Sequence, residues 1–140
     1  MATFLLELVT PEKTLLSAQV RSVRAPGVEG SFGVLPNHAP LMSALSIGVI
    51  KVEHENGDIE YIATSGGFME VNANRAIILA HTAERAADID VPRAEAALAR
   101  AREHLRSGSA IDYEEVTQAL NRAMNRLRVV QMQNGEVPVR

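Results

Sequence analysis

The chain changes its hydrophobic period near residue 85, and no single layer of structure accommodates both halves. Before that point it reads as strands and turns. "FLLELV" (4–9) alternates around Glu7, and "GVIKVEHENGDIEYIAT" (48–64) reads as a hairpin turning at Asn56-Gly57. That dipeptide tolerates the positive φ a tight hairpin turn needs. "FMEVNANRAIILA" (68–80) predicts a second hairpin, turning near Asn72-Ala73-Asn74, and seven of the nine glycines mark turn-like points in this half. Short strands at such spacing predict an antiparallel β-sandwich or flattened barrel. The strands end near residue 84, and the domain boundary is drawn after residue 86.

From residue 87 to residue 140 the period is helical. Asp88 or Asp90 can cap a first helix, because a carboxylate accepts hydrogen bonds from the unpaired N–H groups of the first turn. Pro92 suits that turn, where a missing N–H costs nothing. Ala94, Ala97, Leu98, Ala101 and Leu105 form its apolar stripe. "RSGSAID" (106–112) breaks the helix, and Asp112 caps a second one with the stripe Val116, Ala119, Leu120, Ala123, Leu127 and Val130. So short a connection implies an antiparallel two-helix hairpin, so the class is α+β. The tail after Gly135 reads as frayed.

Charge divides at the same place. Residues 1–84 hold five Lys/Arg against nine Asp/Glu, whereas residues 85–140 hold nine against eight, and all nine cations are arginine. The whole chain is nevertheless acidic, at −3, which argues against nucleic acid as a partner. Without cysteine there are no disulfides or thiolate metal sites. The longest apolar run, "AIILA" (76–80), is far short of the roughly 20 residues that span a bilayer, so direct membrane insertion is not expected. "MATFLLELV" lacks a basic start and carries Glu7, so it does not read as a signal peptide.

Helical wheels place Arg93 and Arg100 on one lateral edge of the first stripe, and Arg122 and Arg126 on an edge of the same hand on the second. Two antiparallel helices that face each other are related by a twofold axis, so both edges end on one side of the hairpin. With the turn centred near residue 109 or 110, Arg93 falls opposite Arg126 and Arg100 opposite Arg122, in levels about 10 Å apart. Four guanidinium groups converging there would make a receptor for phosphate or carboxylate oxygens. The plainer alternative is a solvated face neutralised by helix-surface acids such as Asp90 and Glu95. The alanine-rich seam has its own consequence: Ala buries far less area than Leu, whose burial contributes roughly 1.5–3 kcal/mol, so the hairpin should dock weakly and be able to detach.

Enzymatic signatures are missing. The P-loop pattern and the Gly-x-Ser-x-Gly elbow do not occur, and His38, His54, His81 and His104 lack metal-ligand spacing. His38, within "GVLPNHAPLM", has no acid or nucleophile near it in sequence and reads as turn structure or a contact surface.

Taken together, "GSFGVLPNHAPL" (30–41), "ATSGGFMEV" (63–71), "IDVPRA" (89–94) and "LNRAMNRL" (120–127) resemble the epsilon subunit of bacterial and chloroplast F-type, proton-translocating ATP synthases. The resemblance covers nearly the whole chain, in order. It implies a β-sandwich followed by a helical hairpin, and a non-catalytic place in the rotary central stalk. The implied partners are the gamma subunit and the ring of c subunits. The implied location is peripheral, on the cytoplasmic face of the cell inner membrane. The hairpin would either fold on the sandwich or extend toward the catalytic alpha/beta head, where it inhibits ATP hydrolysis.

No cofactor is required, but some bacterial members of that family bind ATP as a regulatory ligand through Ile/Leu-Asp-x-x-Arg-Ala. Here the pattern is Ile89, Asp90, Arg93 and Ala94, and Glu84, Arg100, Arg122 and Arg126 match the accompanying positions. By the same resemblance Glu29 and Ser31 match loop positions that meet the c-ring, and His38 matches one near gamma. A reading from another class is a free-standing nucleotide-sensing module that uses the hairpin as receptor.

Overall fold

In the computed structural model, residues 2–108 and 112–136 are described. The expected turn centre at 109–110 and the last residues, 137–140, lie outside them. The first strand, β1 (Phe4–Val9), alternates as its sequence predicts: Phe4, Leu6 and Leu8 are buried, and Leu5, Glu7 and Val9 face outward. It is followed by β2 (Thr14–Gly27), β3 (Gly30–Val34), β4 (Leu41–Leu45), β5 (Gly48–His54), β6 (Ile59–Thr64), β7 (Gly67–Asn72), β8 (Arg75–Ala80) and β9 (Ala83–Arg85). A 3-10 turn, Ala86–Asp88, leads to α1 (Val91–Ser107) and α2 (Tyr113–Gln133).

The 14-residue β2 runs through both layers of the sandwich. Its first half pairs with β1, whose other edge leads through β8 and β7 to β4. Its second half carries β3 on one edge and β5, β6 and β9 on the other. The register of β2 against β5 shifts between Val20 and Ser22, and a bulge of this kind bends a strand so that it can serve two sheets. Phe4, Leu6, Leu8, Val20, Val52 and Ile78 are among the side chains that fill the space between the layers.

The sandwich is not wholly antiparallel. β1 and β8 run parallel, with Leu5 opposite Arg75 and Leu8 opposite Ile78. Alternation fixes which face a residue takes, but not the direction of a partner some 70 positions away.

The two predicted hairpins form with different turns. At β5–β6 the amide of Gly57 donates to the His54 carbonyl (2.9 Å), and the His54 amide donates to the Asp58 carbonyl (2.8 Å). Only Gly57 takes a positive φ, 92°. The loop is therefore an ordinary turn closed by one left-handed glycine, not the tight two-residue turn that Asn-Gly suggests. At β7–β8 the tight form does occur, with Ala73 (φ 50°) and Asn74 (φ 59°) both left-handed. That conformation costs an alanine roughly 1–2 kcal/mol. Asn74 offsets it: its Oδ1 accepts from the Asn37 amide (2.8 Å), and its Nδ2 donates to the Thr3 carbonyl (3.0 Å).

Of the two candidate caps, Asp90 starts α1, accepting from the Arg93 amide at 3.1 Å, and Pro92 sits in the first turn. Asp112 caps α2 through the Glu115 amide at 3.0 Å. Ala94 and Ala101 of α1 and Ala123 of α2 are buried, with Leu98, Leu105, Leu120 and Leu127 half-buried beside them. It is α2 that lies against the sandwich, on β6 and β5, while α1 packs chiefly on α2. The joint is a small apolar cluster of Ala63, Ala86, Ile89 and Val129, flanked by Val49, Tyr61 and Val130. Val129, one position before the predicted end of the stripe, is the fully buried one.

Two amide side chains reinforce the joint. Asn125, buried, donates Nδ2 to the Gly48 carbonyl at 2.6 Å. Gln133 accepts from the Tyr61 amide at 2.7 Å and donates to the Ile59 carbonyl at 3.0 Å. It thereby pairs with the stretch of β6 that lies beyond the reach of β9, which covers only Ile62, Ala63 and Thr64.

Candidate functional site

A cleft of about 670 Å³ opens where the hairpin meets the sandwich. Three segments build it. The turn between β1 and β2, residues 10–13, forms one wall, and the end of β8 with β9, residues 81–84, lies beneath. The start of α1 contributes Asp90, Arg93, Ala94, Ala97 and Arg100, and α2 adds Arg126. Such a volume falls within the roughly 300–1,000 Å³ of small-molecule sites.

Local chemistry fixes these walls. In the β1–β2 turn the Thr10 amide and hydroxyl both donate to the Lys13 carbonyl, at 2.9 and 3.2 Å, and the Lys13 amide donates to the Thr10 hydroxyl at 3.3 Å. The sandwich floor ends in a buttress: Arg85 bonds Glu60 (2.6 Å) and the Leu15 carbonyl (2.8 Å), and Glu60 meets His54 Nε2 at 2.9 Å. Asp90 holds the first turn of α1 and so sets where Arg93 stands.

Of the eight residues matched to the nucleotide pattern, Glu84, Asp90, Arg93, Ala94, Arg100 and Arg126 line this cleft. Ile89 does not. It is buried in the apolar cluster of the joint and holds the turn into α1 from beneath. Arg122 lines a small neighbouring recess with Glu84, Asn125 and Arg126, and its guanidinium pairs with Glu115 at 3.0 Å. The expected four-arginine surface is thus a three-arginine cleft, because a wheel gives a residue's angle but not the acid two turns back that captures its head group. Arg126 pairs with Glu84 at 2.5 Å. Arg93 and Arg100 have no ion pair among the described residues. Lys13, unforeseen from the sequence, shares the cleft and also has none. Only its place five residues after the end of a core-facing run signals it, and nothing local points it at an arginine 80 residues away.

The positions matched to partner contacts fall in two places: Glu29 and Ser31 at the β2–β3 turn, and His38 beyond the other end of β3. Glu29 is exposed in the turn between β2 and β3, beside Val28. Ser31, exposed on β3, accepts from Arg24 at 3.4 Å. His38 is half-buried in the loop before β4, its Nδ1 2.7 Å from the Ala39 carbonyl. The outer face of one sheet carries an apolar row: Ala44 faces Phe68, Phe68 faces Leu79, and Leu79 faces Val9. Phe68 is 56% and Leu79 52% exposed, and Met42 on β4 is 73% exposed.

Among the described residues, no group of His, Asp and Glu is arranged to hold a metal ion, and no helix is long and apolar enough to cross a membrane.

Residues 3–86 match the beta-sandwich domain of the ATP synthase delta/epsilon chain, and residues 87–131 match the long alpha-helix domain of the same chain. Over 127 residues the sequence is 47% identical to the ATP synthase epsilon chain of Desulforamulus reducens, covering 90% of this chain and 96% of that one. It is 48% identical over 125 residues to the epsilon chain of Nitratidesulfovibrio vulgaris, covering 89% and 92%. Among solved structures, a chain of the Euglena gracilis mitochondrial ATP synthase (OSCP/F1/c-ring, rotational state 1) superposes with a TM-score of 0.77 at 28% identity, covering 86% of this chain and 77% of that one. With both halves of the fold, their order and nearly their full length matched, the chain belongs to the ATP synthase delta/epsilon family.

Proposed function

We propose that this chain is a non-catalytic central-stalk subunit of an F-type ATP synthase, and that its hairpin is a ligand-controlled brake on ATP hydrolysis. In this reading the sandwich docks on the gamma subunit through the apolar face around Phe68 and Leu79, and through His38. The end carrying Val28, Glu29 and Ser31 meets the c-ring. The protein then sits peripherally on the cytoplasmic face of the membrane. ATP is a regulatory ligand of the cleft, and the extended hairpin presents Arg122, Arg126 and Arg128 to acidic surfaces of the catalytic head.

The observation that carries the regulatory part is that the cleft belongs to the folded state alone. Its walls come from the sandwich and from both helices, and lifting the hairpin separates Arg93, Arg100 and Arg126 from residues 10–13 and 81–84. A ligand held by both walls stabilises the seated hairpin and shifts the population toward it. At a hundredfold excess over its dissociation constant the shift is about 2.7 kcal/mol, enough to weigh on a joint whose buried side chains are two alanines, Ile89 and Val129.

The test is deletion of residues 87–140 in an ATPase complex reconstituted with this chain. Hydrolysis should rise, or become less latent, on deletion, and millimolar ATP should relieve inhibition only in the full-length complex. Equal hydrolysis by both complexes under all conditions would remove the regulatory role. Co-purification with the other subunits separates a stalk component from a free-standing nucleotide sensor.

A further inference from the structure

We infer that Lys13, from the sandwich, is a phosphate-binding residue of the cleft, so that a nucleotide bridges the sandwich directly to α1. This rests on the nucleotide reading above. The cleft holds four strong cations, and they differ in how they are used. Arg126 is paired with Glu84, whereas Lys13, Arg93 and Arg100 have no ion pair among the described residues and line the same space, the lysine from the sandwich and the arginines from α1. Like charges that share a cleft repel until an anion enters, so bound polyphosphate relieves that repulsion as well as gaining three charge-assisted contacts. The acids there, Glu12, Glu84, Asp88 and Asp90, have the wrong sign for phosphate and suit the amine edge of a base.

The backbone supports the assignment. Three hydrogen bonds with Thr10 fix the main chain at Lys13, so its ammonium swings from an anchored root while its stem stays exposed. The site also needs a contact of this kind. α1 packs chiefly on α2 and lacks an extensive strand contact among the described residues. Without ligand, α1 is tied to the sandwich at its first turn, through the chain from β9 with Ala86 and Ile89 in the joint, and along its length through α2. Polyphosphate shared by Lys13, Arg93 and Arg100 ties it directly.

The experiment is calorimetric titration of the full chain with ATP, ADP and AMP, comparing wild type with Lys13→Gln, Lys13→Arg and Arg93→Ala. Lys13→Gln should weaken ATP by about fivefold or more, ADP less, and AMP within about twofold, and Lys13→Arg should restore most of the ATP affinity. A dependence on phosphate count, with an unchanged melting temperature, is not produced by a merely structural lysine. If Arg93→Ala loses ATP while Lys13→Gln binds like wild type, or weakens all three nucleotides equally, this inference is overturned and the nucleotide reading stands. If wild type binds none of the three at millimolar concentration, both fall together.

Discussion

Arg126 and Glu84, 42 positions apart in sequence, pair across the joint between α2 and β9, each with about a third of its side chain exposed (35% and 36%). A pair so open to water contributes roughly 0–1 kcal/mol to stability. Its position matters more, because it holds one guanidinium among the residues that line the cleft. Arg126→Ala is therefore expected to leave thermal unfolding within about 1 kcal/mol of wild type. Calorimetry should show ATP binding at least tenfold weaker, about 1.4 kcal/mol. Retained ATP affinity in this variant would take Arg126 out of the ligand site.

Gln133 makes a prediction that can be read at one amide. Its side chain is the partner of the Tyr61 N–H and the Ile59 carbonyl, whereas the neighbouring Ile62 N–H points to the other edge of β6, where β5 lies with Ile50 opposite. A typical intramolecular hydrogen bond contributes a net 0.5–1.5 kcal/mol, so Gln133→Ala should speed hydrogen exchange at Tyr61 by about two- to tenfold. Ile62 should be little changed. Equal acceleration along all of β6 would mean that the substitution released the whole hairpin rather than one bond.

Local patterns were sufficient for the elements and insufficient for their meetings. Phe4–Val9, the β7–β8 hairpin and the caps Asp90 and Asp112 follow from alternation, turn chemistry and carboxylates placed before apolar runs. The parallel β1–β8 pairing and the passage of β2 through both sheets are non-local, and the period-2 signal is blind to them. Asn125 and Gln133 look like solvent-facing residues on a helix because their partners are backbone groups of β5 and β6, which carry no sequence signature. One clue was available: Asn125 stands four positions before Val129, hence on the same buried face, where a polar side chain needs a partner. The arginine edge was legible as an angle. Its division into a cleft with Arg93, Arg100 and Arg126, and a recess where Glu115 holds Arg122, depended on acids and walls brought by the fold.

The apolar row on the outer face predicts a separation of stability from assembly. Phe68 lies between Ala44 and Leu79 with its side chain largely in water. Phe68→Glu should change unfolding by no more than about 0.5 kcal/mol, as for other surface substitutions. Placed at the centre of an apolar interface, the same carboxylate loses its hydration without a partner. Assembly with the gamma subunit, followed by pull-down, should drop sharply. A variant that assembles normally would move the stalk contact to another face.

The last prediction concerns the independence of the sandwich. Its main core, from Phe4 to Ala80, contains no residue of either helix, and the helices meet it through a separate, smaller cluster. Of that smaller cluster, Ala63 and Ala86, with Val49 and Tyr61 at its edge, would be exposed by removing α1 and α2. That uncovers an apolar patch but opens no cavity in the main core. We therefore expect residues 1–86 to fold alone and melt cooperatively with a β-type circular dichroism spectrum. Leu8→Ala should destabilise the fragment by about 2–5 kcal/mol, as in the full chain, because its surroundings are the same in both. The fragment should be more prone to self-association than the full chain through the uncovered patch, and Tyr61→Lys should reduce that tendency. A fragment that is disordered, or that melts without cooperativity, would show that α2 completes the sandwich rather than resting on it.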